Sequence, residues 1–129
     1  MTRARIAGIS PFFIVADVVA SLSFYRDMLD FEIVFQEPAE DPFFAIVRRD
    51  GAMVMVKSVG VEPLPNCERE PQARWDAYLN VPDPDALAIE FASRGVTFSV
   101  PLKDTHDGLR GFELKDVDGY VLFYGRPRT

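Results

Sequence analysis

The sequence repeats itself, and that repeat limits what the chain can fold into. Val15-Ala16-Asp17 opens a helical stretch from Val18 to Leu29, followed by Phe31. Val81-Pro82-Asp83 opens another, from Pro84 to Arg94, followed by Val96. Asp17 and Asp83 are 66 residues apart, as are Val15 and Val81, Ala20 and Ala86, and Tyr25 and Phe91. A second correspondence has an offset of 68: Arg49-Asp50-Gly51 precedes the apolar run Ala52 to Val56, and Val117-Asp118-Gly119 precedes Tyr120 to Tyr124. Self-similarity of this kind marks a duplicated supersecondary unit, here of roughly 60 residues.

Each unit reads as strand, helix and three strands. In the first, Ile9 to Ala16 is β-rich, and Asp17 is placed to cap the next helix by accepting its unpaired N–H groups. Phe31 to Gln36 alternates as a strand, Glu37 to Pro42 is a turn, and Phe43–Arg48 with Ala52–Lys57 forms a hairpin about Asp50-Gly51. In the second, Arg74 to Val81 is a strand, and Asp83-Pro84 caps and starts a helix that Gly95 ends. Val96 to Val100 is a strand, Leu102 to Leu109 a polar loop, and Gly111–Lys115 with Tyr120–Tyr124 the closing hairpin. The prediction is one α+β domain of two tandem βαβββ modules, 6–58 and 74–127. A proline-rich linker, 59–73, joins them.

Strand alternation sorts the residues into two faces. Phe13, Val15, Val54, Val56, Ala77, Leu79, Val81, Leu122 and Tyr124 share an apolar face that should lie under the helices. Ser10, Phe12, Ile14, Met53, Met55, Lys57, Asp76, Tyr78, Asn80, Val121 and Phe123 share the other. That second mixture, too apolar for a solvated face and too polar for a core, suits a ligand pocket. It equally suits an interface with a second subunit. Asp76 reads either as a pocket anion or as half of an ion pair with Lys57 or Arg110. On a regular strand Trp75 points away from Asp76, toward core or interface.

Composition narrows the function. With 14 Lys plus Arg against 20 Asp plus Glu, the net charge is −6, which disfavours nucleic acid and anionic membrane surfaces. No apolar run reaches the roughly 20 residues of a membrane span, and no signal peptide is recognisable. The single cysteine, Cys67, excludes an intrachain disulfide and a thiolate zinc cluster and fits a cytoplasmic setting. His106, the only histidine, falls in a loop, and no nucleophile–base pair emerges.

The runs Pro11-Phe12-Phe13-Ile14-Val15-Ala16-Asp17, Ser21 through Phe31, and Asp116-Val117-Asp118-Gly119-Tyr120 resemble signatures of the vicinal oxygen chelate superfamily. This superfamily includes glyoxalases, extradiol dioxygenases and bleomycin-resistance proteins. The resemblance implies that the two modules wrap a cup-like sheet around a ligand, with helices outside. It also implies four metal-ligand positions in the metal-dependent members, and these fall on Ser10, Met55, Asp76 and Phe123. A thioether and a phenyl ring are poor donors for a hard divalent ion, so no metal site and no cofactor are expected.

The expectation is therefore a metal-independent, homodimeric small-molecule binder resembling the bleomycin-resistance branch, with a cationic or aromatic ligand. The candidate binding residues are Ser10, Phe12, Met55, Asp76, Tyr78, Arg110 and Phe123. The alternatives are a glyoxalase-like lyase or isomerase using Asp76, Tyr78 or His106, a dioxygenase-related enzyme with an altered site, or an interaction module with a vestigial pocket.

Overall fold

The computed structural model describes residues 2–128. Module one builds a sheet from β1 (Phe12–Ile14), β2 (Glu32–Glu37), β3 (Phe44–Arg49) and β4 (Ala52–Lys57), in the order β1-β4-β3-β2. Module two repeats it with β5 (Ala77–Asn80), β6 (Phe98–Asp104), β7 (Leu109–Lys115) and β8 (Val121–Pro127), in the order β5-β8-β7-β6. In both, the first strand pairs parallel with the last and the other pairings are antiparallel. The paired βαβββ architecture is thus present.

Asp17 and Asp83 cap the two long helical segments as expected, accepting from the N–H groups of Val19 and Ala86. Helix α1 (Val18–Ser23) widens into a π-helical turn at Phe24–Met28, so the first segment is not uniform α-helix. Helix α3 (Pro84–Ser93) starts on its proline and ends before Gly95, whose φ is +83. α1 packs on β3 and β4, and α3 on β6, β7 and β8.

Several boundaries differ from the sequence reading. β1 is limited to Phe12–Ile14, and the preceding residues extend into solvent, with Ile9 95% exposed. Pro11 has no N–H to offer a ladder. The linker carries a short helix, α2 (Asn66–Arg69). The expected loop 102–109 shrinks to a turn at 105–108 between two strands. β6 runs on to Asp104 through two irregularities in its register with β7, the second spanning Pro101, where a missing N–H is tolerated. β5 begins at Ala77 rather than Arg74.

The modules meet along a polar seam laid over an apolar contact. Tyr120 stacks on Phe13 with ring centroids 4.3 Å apart, and its hydroxyl donates to the Ile14 carbonyl. The Ala16 N–H donates to Asp118. Tyr25, fully buried, donates to Asp116 Oδ2 at 2.8 Å, while Asp116 Oδ1 accepts from the Asp118 and Tyr120 N–H groups. Beneath these bonds, one apolar cluster runs through both modules from Val15 and Leu29 to Phe112 and Tyr124.

Burial raises the Asp116 carboxyl to about 6 from its ordinary 3.8, against the hydrogen bonds that favour its charge. Between those values the folded protein holds a proton that the unfolded chain has released. Stability contributed by Asp116 is therefore greatest at low pH and is lost as pH rises from about 4 to about 6. Asp116→Asn should remove that decline, measured as the difference in urea-unfolding free energy between pH 4.5 and pH 7. An unchanged difference would show that Asp116 does not titrate in this range. Tyr25→Phe, which strands a charged acceptor, should cost about 1.5–3 kcal/mol at pH 7.

Candidate functional site

Strand register assembles the open face of sheet one. Phe12 lies opposite Met55, Met55 opposite Ile46, and Ile46 opposite Phe35, which makes one continuous cross-strand row. The next row joins Ile14, Lys57 and Phe44. The Phe44 ring lies 6.1 Å from Phe12 and 6.0 Å from Phe35. Phe12 is 53% and Phe35 46% exposed, so this is an apolar face that the chain itself leaves uncovered.

The corresponding face of sheet two holds a stack of three rings. Phe123 lies 4.5 Å from Trp75 and 5.4 Å from Tyr78, nearly parallel to both. Glycines make room for it. A Cβ on Gly111 or Gly125 would come within 2.7 Å or 2.5 Å of the Phe123 ring. Glu113 is the cross-strand partner of Phe123 and is half-buried, which raises its pKa despite Arg74, Lys115 and Lys103. Arg74 lies over the Trp75 ring at 4.3 Å. Stacked faces with a carboxylate alongside can hold a planar or cationic group.

The seven candidate residues fare differently. Phe12 and Met55 are brought together on sheet one, and Tyr78 and Phe123 on sheet two. Phe123 is 3% exposed, so it acts as the floor of the stack rather than as an open wall. Ser10 is half-buried beside β5, where a groove also reaches Asp76 and Tyr78. Phe12 and Asp76 share a shallower notch of about 370 Å³ with Leu64 and Arg69 of the linker.

Asp76 pairs with neither Lys57 nor Arg110. Its two oxygens accept from the backbone N–H groups of Asn66 and Val121, tying the linker helix to the start of β8. Arg110 is not a free rim cation. It forms a bidentate pair with Asp85 at 2.8 and 2.7 Å and a third bond to Asp104, which the longer β6 places opposite it. Lys57 lies over the Phe43 ring. His106 sits exposed on the turn joining β6 to β7.

Two residues escaped the sequence reading. Trp75 was assigned to the opposite face, but it precedes the regular strand, so alternation does not govern it. Glu113 was legible: it alternates with Phe112 and Leu114, both fully buried, and so must face the ligand side.

The sequence profile of the Glyoxalase/Bleomycin resistance protein/Dioxygenase superfamily matches residues 5–123. The chain belongs to that superfamily. Among solved structures it is similar to the bleomycin-binding protein of bleomycin-producing Streptomyces verticillus, complexed with copper(II)-bleomycin. The identity is 28% and the TM-score 0.69, over 95% of this chain and 97% of that one. It shares its fold with TioX of Micromonospora sp. ML1 (20% identity, TM-score 0.74, 93% and 98% coverage). It also shares it with TnmS3, an antibiotic-binding protein of Streptomyces sp. CB03234 (24%, 0.65, 98% of both chains). No curated protein sequence matches the chain.

The metal that some superfamily members use does not suit the residues here. Of the four corresponding positions, Phe123 has no donor atom, Met55 offers a thioether, Ser10 offers only a neutral hydroxyl, and both Asp76 oxygens already serve backbone N–H groups. Among the described residues no group of three or more His, Cys, Asp or Glu side chains is arranged to hold an ion.

Asp76→Ala would leave the Asn66 and Val121 N–H groups without their acceptors. It should cost about 1–3 kcal/mol, read as a lower melting temperature, with ligand affinity little changed. An unchanged melting temperature with lost affinity would instead make Asp76 a ligand contact.

Proposed function

We propose that this protein is a metal-independent binder of a small cationic aromatic molecule, acting as a homodimer. The observation that carries this reading is the Trp75–Phe123–Tyr78 stack with Glu113 beside it. Ring faces attract cations and planar groups, and a neighbouring carboxylate adds charge complementarity. The net charge of −6 steers cations toward the protein. The relative that binds copper(II)-bleomycin, at 28% identity, supports a ligand of drug-like size.

The uncovered row of Phe12, Met55, Ile46 and Phe35 supports the dimer. Contiguous exposed apolar surface of this kind marks an interaction site, and a second copy would cover it. A cytoplasmic location suits the single unpaired thiol, Cys67.

Trp75 is the only tryptophan, so its fluorescence reports the site directly. Titration with the planar aromatic cation acriflavine, and with bleomycin with and without copper, should quench it saturably in at least one case. The purified protein should retain no divalent metal after dialysis and should scatter light as twice the chain mass. Glu113→Gln should weaken binding of the quenching cation by about tenfold, the scale of one charge-assisted hydrogen bond. Affinity should also fall as pH drops through the raised Glu113 range. Absence of quenching by every cation tried, or about one tightly held metal per chain, would overturn the reading.

A further inference from the structure

The two modules are related by the repeat, but buried contacts close the seam on one side only; the other side is bridged by the part-exposed ion pairs Arg49–Glu90 and Arg94–Asp30. On the closed side Tyr120 covers Phe13, Asp118 accepts from the Ala16 N–H, and the Tyr25 hydroxyl reaches Asp116. The repeat offsets identify the counterpart of each on the other side. Tyr120 becomes Ala52 and Phe13 becomes Leu79. Asp118 becomes Asp50, while Ala16 becomes Pro82, which has no N–H to donate. Tyr25 becomes Phe91, which has no hydroxyl. All three closures are missing.

The consequence is a groove of about 1080 Å³ between the modules, walled by Ala52, Val54, Leu79, Leu87 and Phe91. It explains why Ala77, Leu79 and Val81, expected beneath the helices, are only half-buried. Tyr124 lines the same groove. Its hydroxyl is the only buried side-chain polar atom without a hydrogen-bond partner among the described residues. The Tyr124 side chain is 3% exposed, and burial holds its phenol well above the ordinary value, so it remains a proton donor. A buried hydroxyl left unpaired is costly, and a ligand acceptor would relieve that cost.

The charged groups inside the groove are already engaged. Arg49 forms a bidentate pair with Glu90 across the modules, Asp83 caps α3, and Asp76 holds two backbone N–H groups, while Asp50 stands at the mouth with its side chain 93% exposed. An uncharged occupant therefore fits best. We propose that the intermodule groove is a second ligand site. It takes an uncharged, largely apolar molecule with one hydrogen-bond acceptor, directed to Tyr124. This site is separate from the Trp75 stack, of which only Tyr78 borders the groove.

The test uses the full chain and the uncharged naphthyl ketone prodan, whose emission shifts to the blue in apolar surroundings. The expected result is saturable binding of one prodan per chain. Ala52→Tyr, which restores the missing counterpart of Tyr120, should weaken binding at least about tenfold through lost volume. Tyr124→Phe preserves the ring and should weaken binding about fivefold, as for one ordinary hydrogen bond, with an equal or higher melting temperature in the free protein. Val19→Ala, on the exposed side of α1 and away from the groove, should bind prodan like the parent. Should Ala52→Tyr fail to fold, Tyr124→Phe alone decides.

Absence of saturable binding, or unchanged affinity in Tyr124→Phe, would overturn the proposal. A solution mass halved by Ala52→Tyr would also overturn it, by showing that a second copy fills the groove. Quenching of Trp75 by a cationic ligand, unaltered in Ala52→Tyr, would leave the stacked-ring site standing whichever way the groove result falls.

Discussion

The buried bond from Tyr25 to Asp116 is the contact on which the arrangement of the two modules depends. Neither sheet can hide both of its faces with one helix, so each module must lean on the other. The apolar cluster supplies attraction without direction. The hydroxyl of Tyr25, reaching across to a carboxylate that two backbone N–H groups already orient, fixes how the modules meet. Asp118 and Tyr120 on the same turn add bonds to Ala16 and Ile14. One tight turn thus sets the relation between two sheets, and its asymmetry leaves the opposite side of the seam open.

The outer faces inherit their character from the same geometry. With the helices and the seam consuming one face of each sheet, the other is free to carry rings. Sheet one displays them in the open, at Phe12 and Phe35. Sheet two folds them together, because Gly111 and Gly125 let Phe123 lie flat against the backbone under Trp75. At two of the positions that the superfamily resemblance marks, this chain carries Met55 on sheet one and Phe123 in the ring stack of sheet two. The fold supports different uses because the chemistry resides in side chains on a few strand positions.

Much of this could be read from the chain. The duplication, the capping roles of Asp17 and Asp83, and the buried positions on β1 and β4 follow from local periodicity and turn chemistry, whereas β8 is buried on both faces, including Val121 and Phe123 of the expected open face. The site was half legible. Strand alternation put Phe12, Met55, Tyr78 and Phe123 on one face, because regular strands propagate their phase, but the pairings Phe12–Met55 and Tyr78–Phe123 came from the register. Trp75 was misplaced because it stands just outside a strand. The partners of Arg110 and Asp76 were not legible, because Asp85 and two backbone N–H groups come from elements that no local pattern links to them.

By itself the sequence determined the two βαβββ units, most of their strand faces and which side chains stand at the expected ligand positions. Each depends on residue identity and short-range spacing. Only the tertiary structure decided that the Asp76 carboxylate serves backbone N–H groups and Arg110 is locked in ion pairs. It also decided that the seam closes at Tyr120 but not at Ala52. Those outcomes depend on which distant groups arrive at contact distance. Packing two unequal modules together settles that, and no periodicity along the chain encodes it.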